Sequence, residues 1–139
     1  MHKILLIDDD EDEFDLLKSA MQEISWKAEI RYSNFCEDDI RAILASYMPD
    51  LIFLDINLPK VNGIECLRTI RELKDYSSIP IIMYSTSADA SNIEESYKSG
   101  ADRYFTKPAS FGALCNSLNK IREIEWIKDG KISLAGFII

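Results

Sequence analysis

Three aspartates follow two short apolar runs in a way that suits metal and phosphate chemistry. Asp55 comes directly after the run at residues 51–54, and Asp8 and Asp9 come directly after an earlier run of the same kind. If both runs are neighbouring parallel strands, the carboxylates meet at one sheet edge, where each pair about 4 Å apart repels by roughly 4 kcal/mol at an effective dielectric near 20. A hard cation such as Mg²⁺ relieves that repulsion. A metal-dependent phosphate site is therefore the leading hypothesis.

Polar residues near the ends of these runs have types that suit the same chemistry. Asp55 is a carboxylate that can accept a phosphoryl group, and Asn57 is expected to offer its main-chain carbonyl to the metal. Ser85 is expected to donate its hydroxyl to a phosphoryl oxygen, and Lys107 is a compact point charge suited to phosphate. Taken singly, a serine here is more often a cap or turn residue, and a lysine is usually just exposed. The shared position of Asp8, Asp9, Asp55, Ser85 and Lys107 at strand ends is stronger evidence for a site than any one of these residues alone.

The acids after the first run also have a plain structural interpretation. Asp10 is expected to be a helix N-cap with Glu13 at the third helical position, because acids favour a helix N-terminus. Asp8 and Asp9 directly continue a buried strand, so capping explains them less well. One of the two should touch the metal, and the other should hold its water.

The elements that position these residues alternate regularly. The apolar runs predicted as strands are residues 4–7, 28–32, 51–54, 81–84 and 103–105. Helical spacing recurs between and after them, at Phe14, Leu17, Met21 and Ile24; Ile40, Ile43 and Leu44; Ile64, Leu67, Ile70 and Leu73; Ile93 and Tyr97; and Leu114, Leu118 and Ile121. Apolar strands alternating with helices predict an α/β fold with a doubly wound, five-stranded parallel sheet. Ligands of such sheets lie beyond the carboxyl ends of the strands.

Composition bounds the function. The 139 residues suit one domain, predicted to span 1–139 with an apolar C-terminal extension at 129–139. A net charge of −8 argues against binding nucleic acid, whose phosphates require clustered Lys and Arg. No apolar stretch reaches the roughly 18 residues of a membrane span, and no secretory signal precedes the first run, so a cytoplasmic location is expected.

The extension leaves two interpretations open. Helical spacing predicts that the fifth helix continues through Ile121, Ile124 and Trp126 until Asp129 and Gly130 break it. The apolar residues that follow either pack on their own domain or cover a partner, such as a second copy in a homodimer.

The three cysteines, Cys36, Cys66 and Cys115, are far apart and lie among helix-forming residues. They are predicted to be packed thiols rather than a bridge or metal site.

These residues together resemble the response-regulator receiver family. The matches occur in order and cover about residues 3–118: Asp8 and Asp9 after the first strand, Asp55 after the third, Leu58 and Pro59 with Gly63, Ser85 after the fourth, and Lys107 and Pro108 after the fifth. The sequence also resembles stand-alone receivers that serve phytochrome-type kinases, through Ser96, Tyr97, Gly100, Ala101, Asp102 and Tyr104.

The resemblance implies a (βα)5 flavodoxin-like receiver fold and a single-domain response regulator of a two-component or phosphorelay system. Asp55 would take a phosphoryl group from a phosphohistidine on a sensor histidine kinase or histidine phosphotransfer protein. Mg²⁺ would be bound by Asp9, Asp55 and the Asn57 carbonyl, with Asp8 assisting through water. Ser85 and Lys107 would contact the phosphoryl oxygens. The peptide bond between Lys107 and Pro108 would be cis, which positions the lysine side chain.

Switching follows from the same residues. Phosphorylation adds about −1.5 to −2 charge and three acceptor oxygens. If Ser85 is pulled toward them, Tyr104, which matches the family's aromatic switch, could fill the vacated space from outside. The expected result is a two-state surface for an unknown downstream protein target, around the fourth helix, fifth strand and fifth helix.

Rival functions fit less well. The main alternative is a receiver-like interaction module that is never phosphorylated, although such a module has no need for clustered acids. A haloacid-dehalogenase-type phosphatase would place its nucleophile on the first strand, a flavin carrier would need a hydroxyl-rich loop where the acids lie, and a nucleotide hydrolase would need a Gly-rich phosphate loop. The protein is therefore expected to be a phosphoacceptor rather than an enzyme acting on other molecules.

Overall fold

The computed structural model describes residues 3–34, 40–124, 126 and 133–139. Its five strands are β1 (Lys3–Ile7), β2 (Glu29–Ser33), β3 (Leu51–Leu54), β4 (Ile81–Ser85) and β5 (Arg103–Thr106). Its helices are α1 (Glu11–Glu23), α2 (Ile40–Tyr47), α3 (Gly63–Glu72), α4 (Ala90–Lys98), α5 (Phe111–Arg122) and a short α6 (Leu134–Phe137). None of the helices described is long and apolar enough to cross a membrane.

The strands form one parallel sheet in the order β2-β1-β3-β4-β5. This arrangement confirms the predicted five-stranded, doubly wound α/β fold. The chain reverses its direction of winding between β1 and β3, which are neighbours in the sheet. Ligands of doubly wound sheets bind beyond the strand ends at such a point, and Asp8 and Asp55 directly follow these two strands.

Alternate strand residues supply two separate cores, one on each face of the sheet. Leu5 and Ile7 point into the core that α2, α3 and α4 cover, whereas Ile4 and Leu6 point into the core that α1 and α5 cover. The strand residues of β1, β3 and β4 are buried except Lys3. Burial on both faces explains why these strands read as continuous apolar runs.

Side-chain caps fix where the helices nearest the site begin. Asp10 is the N-cap of α1, as predicted, and its carboxylate accepts a hydrogen bond from the Asp12 amide at 2.9 Å. Asn62 caps α3 in the same way, and Ser110 caps α5. Each cap satisfies a donor that the helix itself cannot pair. The two caps at α1 and α3 therefore hold the turns that follow Asp8 and Asp55.

The end of α5 differs from the prediction. The helix ends at Arg122, with Glu123 as its C-cap, so the predicted continuation through Ile124 and Trp126 is wrong. Trp126 packs on the core that α1 and α5 cover although its backbone is not helical, which is why the apolar spacing suggested a longer helix. The predicted break at residues 129–130 lies outside the described residues.

The cysteine prediction is also partly wrong. Cys115 is a free, buried thiol, as expected, but Cys66 is disulfide-bonded. Cys36 lies outside the described residues. Residue types and spacing gave no signal for a bridge, because a pairing depends on which parts of the chain the fold brings together.

Candidate functional site

The three predicted carboxylates meet at the carboxyl edge of the sheet. Backbone hydrogen bonds extend the ladder one residue beyond each strand: the Asp8 amide donates to Ser33 O at 3.1 Å, and the Asp55 amide donates to Ile7 O at 2.8 Å. One oxygen each from Asp8, Asp9 and Asp55 lies within 4.8 Å of the others. Asp8 is 0% and Asp55 3% exposed, whereas Asp9 faces solvent. Two of the carboxylates are thus held nearly without water.

Lys107 supplies the positive charge of this site. Its amide donates to Ser85 O at 2.8 Å, and its side chain turns inward, so that Nζ lies 2.8 Å from Asp8 Oδ2 and 3.4 Å from Asp55 Oδ2. The expected cis peptide before Pro108 is wrong, since the described residues contain no cis peptide bond. The ammonium reaches both carboxylates with the trans bond, which X-Pro sequences favour by about 0.5–1 kcal/mol.

Two further residues surround Lys107 that the sequence did not assign to the site. Glu13 Oε1 lies 3.9 Å from Nζ, and the Tyr84 ring centroid lies 5.2 Å from it. The Tyr84 hydroxyl in turn donates to Glu13 Oε2 at 3.3 Å. Glu13 was assigned to helix capping, but its side chain faces the ammonium. One feature of the sequence could have indicated this arrangement: Tyr84 carries a hydroxyl within an apolar strand, directly before Ser85.

Burial and charge shift the pKa values of this group in opposite senses. Burial raises the pKa of Asp8 to about 6, although Lys107 and the Asp10 amide, which donates to Oδ1 at 3.0 Å, partly oppose the shift. Burial lowers the pKa of Lys107, but its pairing with Asp8 and Asp55 outweighs that effect and the net shift is upward. Near neutral pH the Lys107 ammonium therefore lies beside Asp8, whose carboxylate takes up a proton more readily than an ordinary aspartate.

The loop after β3 shapes the site around Asp55. The Asn57 amide donates to Asp55 Oδ1 at 3.2 Å, and the Gly63 amide donates to Ile56 O at 2.7 Å. A Cβ at position 63 would lie 1.9 Å from the Asp55 carbonyl oxygen. Only glycine allows this approach, so α3 can begin directly against the backbone of Asp55.

The loop after β4 links Ser85 to Tyr104. Ser85 is buried, and its Oγ accepts a hydrogen bond from the Ser87 amide at 3.2 Å. The Tyr104 hydroxyl donates to Ser87 O at 2.7 Å, and its ring is 0% exposed. Burial raises the pKa of Tyr104, while hydrogen bonding to Ser85 and Ser87 opposes the rise. The structure thus shows the Tyr104 side chain already buried, whereas the sequence analysis expected it to move in from outside.

The residues present fit a hard divalent cation. Asp8, Asp9 and Asp55 offer carboxylate oxygens, and Asp8 Oδ2 accepts no hydrogen bond of good geometry from the part of the chain that the structure describes, although Lys107 Nζ lies 2.8 Å away. Mg²⁺ favours such oxygens and retains several waters, for which the exposed side of Asp9 leaves room.

Comparisons with known proteins agree with this fold. A family model described as the response regulator receiver domain matches residues 4–119. The uncharacterized transcriptional regulatory protein YvcP of Bacillus subtilis is 37% identical over 108 residues, covering 78% of this chain and 43% of the relative. The sensory transduction protein BceR of Halalkalibacterium halodurans is 33% identical over 121 residues, covering 87% of this chain and 50% of the relative. The chain thus spans about half or less of these relatives' length.

Solved structures share the fold over nearly their whole length. The phosphorylated cyanobacterial phytochrome response regulator RcpA is 30% identical, with a TM-score of 0.73 over 88% of this chain and 93% of that one. The Mn²⁺-bound form of the response regulator Rcp1 is 25% identical, with a TM-score of 0.75 over 96% of this chain and 99% of that one.

Proposed function

Because the chain belongs to the response regulator receiver family of two-component systems, we propose that Asp55 accepts a phosphoryl group from the phosphohistidine of a sensor histidine kinase or histidine phosphotransfer protein. A carboxylate oxygen of Asp55 forms the new P–O bond, and the P–N bond to the donor histidine breaks. Such a transfer asks mainly for positioning and for charge opposite the phosphoryl oxygens. The protein's own chemistry is then confined to its phosphorylation and slow dephosphorylation.

The observation that carries this proposal is the position of Lys107 Nζ between Asp8 and Asp55, at 2.8 and 3.4 Å. The ammonium can stay paired with Asp8 while it contacts an oxygen of a phosphoryl group on Asp55. Ser85, the last residue of β4, which pairs with β3, would donate its hydroxyl to another oxygen. The backbone of the Gly63 turn keeps Asp55 in place during the transfer.

Mg²⁺ is proposed to bind to Asp9, Asp55 and the main-chain carbonyl of Asn57, with Asp8 holding one of its waters. When bound, the ion supplies positive charge beside the phosphoryl oxygens. The burial of Asp8 and Asp55 makes this neutralisation valuable, because charges interact strongly where water is scarce. The Mn²⁺-bound form of the similar regulator Rcp1 supports a divalent cation here.

Phosphorylation is proposed to act on a protein-interaction surface through Ser85 and Tyr104. The hydrogen bonds from Tyr104 to Ser87 and from Ser87 to Ser85 offer a direct path for the change. The downstream target is a protein; direct binding of nucleic acid is not expected at a net charge of −8. It remains a prediction that residues 1–139 act as one stand-alone cytoplasmic receiver with an extension at 129–139. A homodimer is also a prediction.

The test is the intact mass of the protein after incubation with acetyl phosphate, with and without Mg²⁺. We expect a Mg²⁺-dependent gain of one phosphoryl group that is lost in Asp55→Asn. Asp75→Asn, at an exposed position on the same protein, is the matched control and should be labelled normally. No labelling of the wild type under any condition would favour the alternative, an interaction module that is not phosphorylated. Labelling that persists in Asp55→Asn would contradict the assignment of Asp55.

A further inference from the structure

Glu13, in the first turn of α1, faces Lys107 rather than open solvent. Acids at a helix N-terminus are favoured by the helix dipole wherever their side chains point, and Glu11 and Asp12 beside it are exposed. The Glu13 side chain is only 19% exposed, and its Oε1 lies 3.9 Å from Nζ of Lys107, whose side chain is 9% exposed. Capping and the helix dipole therefore do not account for the inward direction of Glu13.

Tyr84 fixes Glu13 in this direction. Tyr84 is 1% exposed in β4, and its hydroxyl donates to Glu13 Oε2 at 3.3 Å. Lys107 Nζ lies 5.2 Å from the centroid of the same ring, within the range of a cation–π contact. Burial and the nearby Glu13 raise the pKa of Tyr84, so its hydroxyl stays a neutral donor. One buried side chain thus contacts both the carboxylate and the ammonium.

The three acids nearest the Lys107 ammonium differ in their relation to the proposed metal. Asp8 and Asp55 belong, with Asp9, to the group whose oxygens could hold a cation, and among the described residues that group does not include Glu13. With a dication bound there, the aspartates would be neutralised and an ammonium beside them repelled, so their hold on Lys107 would weaken. Glu13 would keep its full charge, 3.9 Å from the ammonium.

We propose that Glu13, held in place by Tyr84, is a positioning residue for Lys107: it retains the ammonium in the site after a divalent cation has neutralised the aspartates. Lys107 then remains available to an oxygen of the phosphoryl group. A lysine needs such an anchor, because its ammonium is a strongly hydrated charge on a flexible stem. This role rests on the proposed phosphorylation of Asp55, since it prepares Lys107 for that reaction.

The first test observes the Lys107 ammonium directly by NMR, without phosphoryl transfer. Protein made with isotope-labelled lysine gives a signal for an ammonium whose protons exchange slowly, and Lys107→Arg identifies the signal of Lys107. With Mg²⁺ bound, we expect these protons to exchange about tenfold faster in Glu13→Gln than in the wild type, because the ammonium is released toward water. Without metal the difference should be smaller, since Asp8 and Asp55 still hold the ammonium.

Three further variants sharpen this measurement. Glu23→Gln is the matched control, because it removes the same charge from an exposed position at the other end of α1 and should exchange as the wild type does. Tyr84→Phe keeps the buried ring and removes only the hydroxyl that holds Glu13, so it should reproduce part of the effect. The double variant should be no faster than Glu13→Gln alone, because both changes act through one contact. Tyr84→Phe also preserves packing, so it takes the place of Glu13→Gln if that variant does not fold.

The second test is the rate of labelling by acetyl phosphate in saturating Mg²⁺. Glu13→Gln should slow labelling roughly tenfold, which is less than the loss of a charge-stabilising donor itself costs. A carboxylate that merely repelled an anionic donor would give the opposite result, faster labelling in Glu13→Gln.

Equal ammonium exchange in Glu13→Gln and the wild type with Mg²⁺ bound, or faster labelling in Glu13→Gln, would overturn the role of Glu13 and leave the proposed function standing. A wild type that takes up no phosphoryl group would instead contradict the proposed function. The exchange measurement then still decides whether Glu13 holds Lys107, because it needs no phosphoryl group.

Discussion

Replacing Asp55 by Asn is expected to stabilise the metal-free protein while it removes the proposed phosphoacceptor. The amide has the shape of the carboxylate and keeps an oxygen that can accept from the Asn57 amide, now at 3.2 Å from Asp55 Oδ1. The substitution therefore changes the charge of a residue that is 3% exposed with little effect on its packing.

The magnitude follows from three terms. Lys107 Nζ lies 3.4 Å from Asp55 Oδ2, and the attraction lost is about 5 kcal/mol at an effective dielectric near 20. Asp8 lies within 4.8 Å, and relief of that repulsion returns at least about 3.5 kcal/mol on the same basis. Asp9 is exposed, so water screens its repulsion to about 1 kcal/mol. These terms nearly cancel, which leaves the cost of burying the ionised carboxylate.

Burying an ionised group costs several kcal/mol in proteins after relaxation, and the neutral amide avoids most of that cost. We therefore expect Asp55→Asn to raise the free energy of unfolding by about 2 kcal/mol in EDTA at pH 8. Mg²⁺ should remove the difference, because it stabilises the wild type by about 2.7 kcal/mol at a concentration of 100 Kd. The variant has lost a proposed ligand and should gain little.

Urea unfolding followed by circular dichroism, in EDTA and then in saturating Mg²⁺, measures both quantities. Asp75→Asn, which is exposed, is the control and should stay within about 0.5 kcal/mol of the wild type in either condition. An Asp55→Asn protein that is less stable than the wild type by more than about 1 kcal/mol in EDTA would refute the reasoning. It would mean that attraction to Lys107 outweighs repulsion and desolvation together.

Two further predictions concern pH and the loop backbone. The pKa of Asp8 is raised to about 6, so its protonated form competes with the metal, and the affinity for Mg²⁺ measured by calorimetry should fall about tenfold between pH 7 and pH 5. Because the pKa of Asp8 is raised on folding, its contribution to metal-free stability should decline as pH rises through about 6. Asp8→Asn should flatten the pH dependence of both the Mg²⁺ affinity and the stability. An unchanged slope in that variant would mean that another group titrates. Gly63→Ala should lower the free energy of unfolding by at least about 2 kcal/mol, because its Cβ would lie 1.9 Å from a backbone oxygen. Gly112→Ala, whose Cβ meets nothing within 4 Å in α5, should instead be neutral or stabilising by up to about 1 kcal/mol, and equal losses in the two variants would contradict the steric argument.

The fold could be predicted because strands buried on both faces leave a simple record in the sequence. The predicted runs agree with the observed strands to within one residue at each end, as at β3 (Leu51–Leu54) and β4 (Ile81–Ser85). Once the strands were known to be parallel, the positions of Asp8, Asp55, Ser85 and Lys107 at one edge followed without knowledge of side-chain contacts.

The rest depended on packing between distant parts of the chain. The placement of Glu13 beside Lys107 is set by how α1 lies across the sheet, and helical spacing does not report that angle. The inward position of Tyr104 involves Phe137, which is 33 positions later in the sequence. The sequence left open whether the extension packs on its own domain. The described part does so, because the Phe137 ring packs against Tyr97 of α4 and Tyr104 of β5.

The pairing of residues 133–139 with β5 also bears on how the sheet avoids self-association in the cell. An open sheet edge is a template for aggregation, and this sheet has two such edges. The β2 edge carries Glu29 and Arg31 at exposed positions, so charge discourages a second strand from pairing there. β5 has Tyr104 and Phe105 at its centre, both buried, and relies on backbone pairing from Ile138 and Ile139 instead. Any event that frees the segment for long would therefore expose the β5 edge and favour aggregation of the protein.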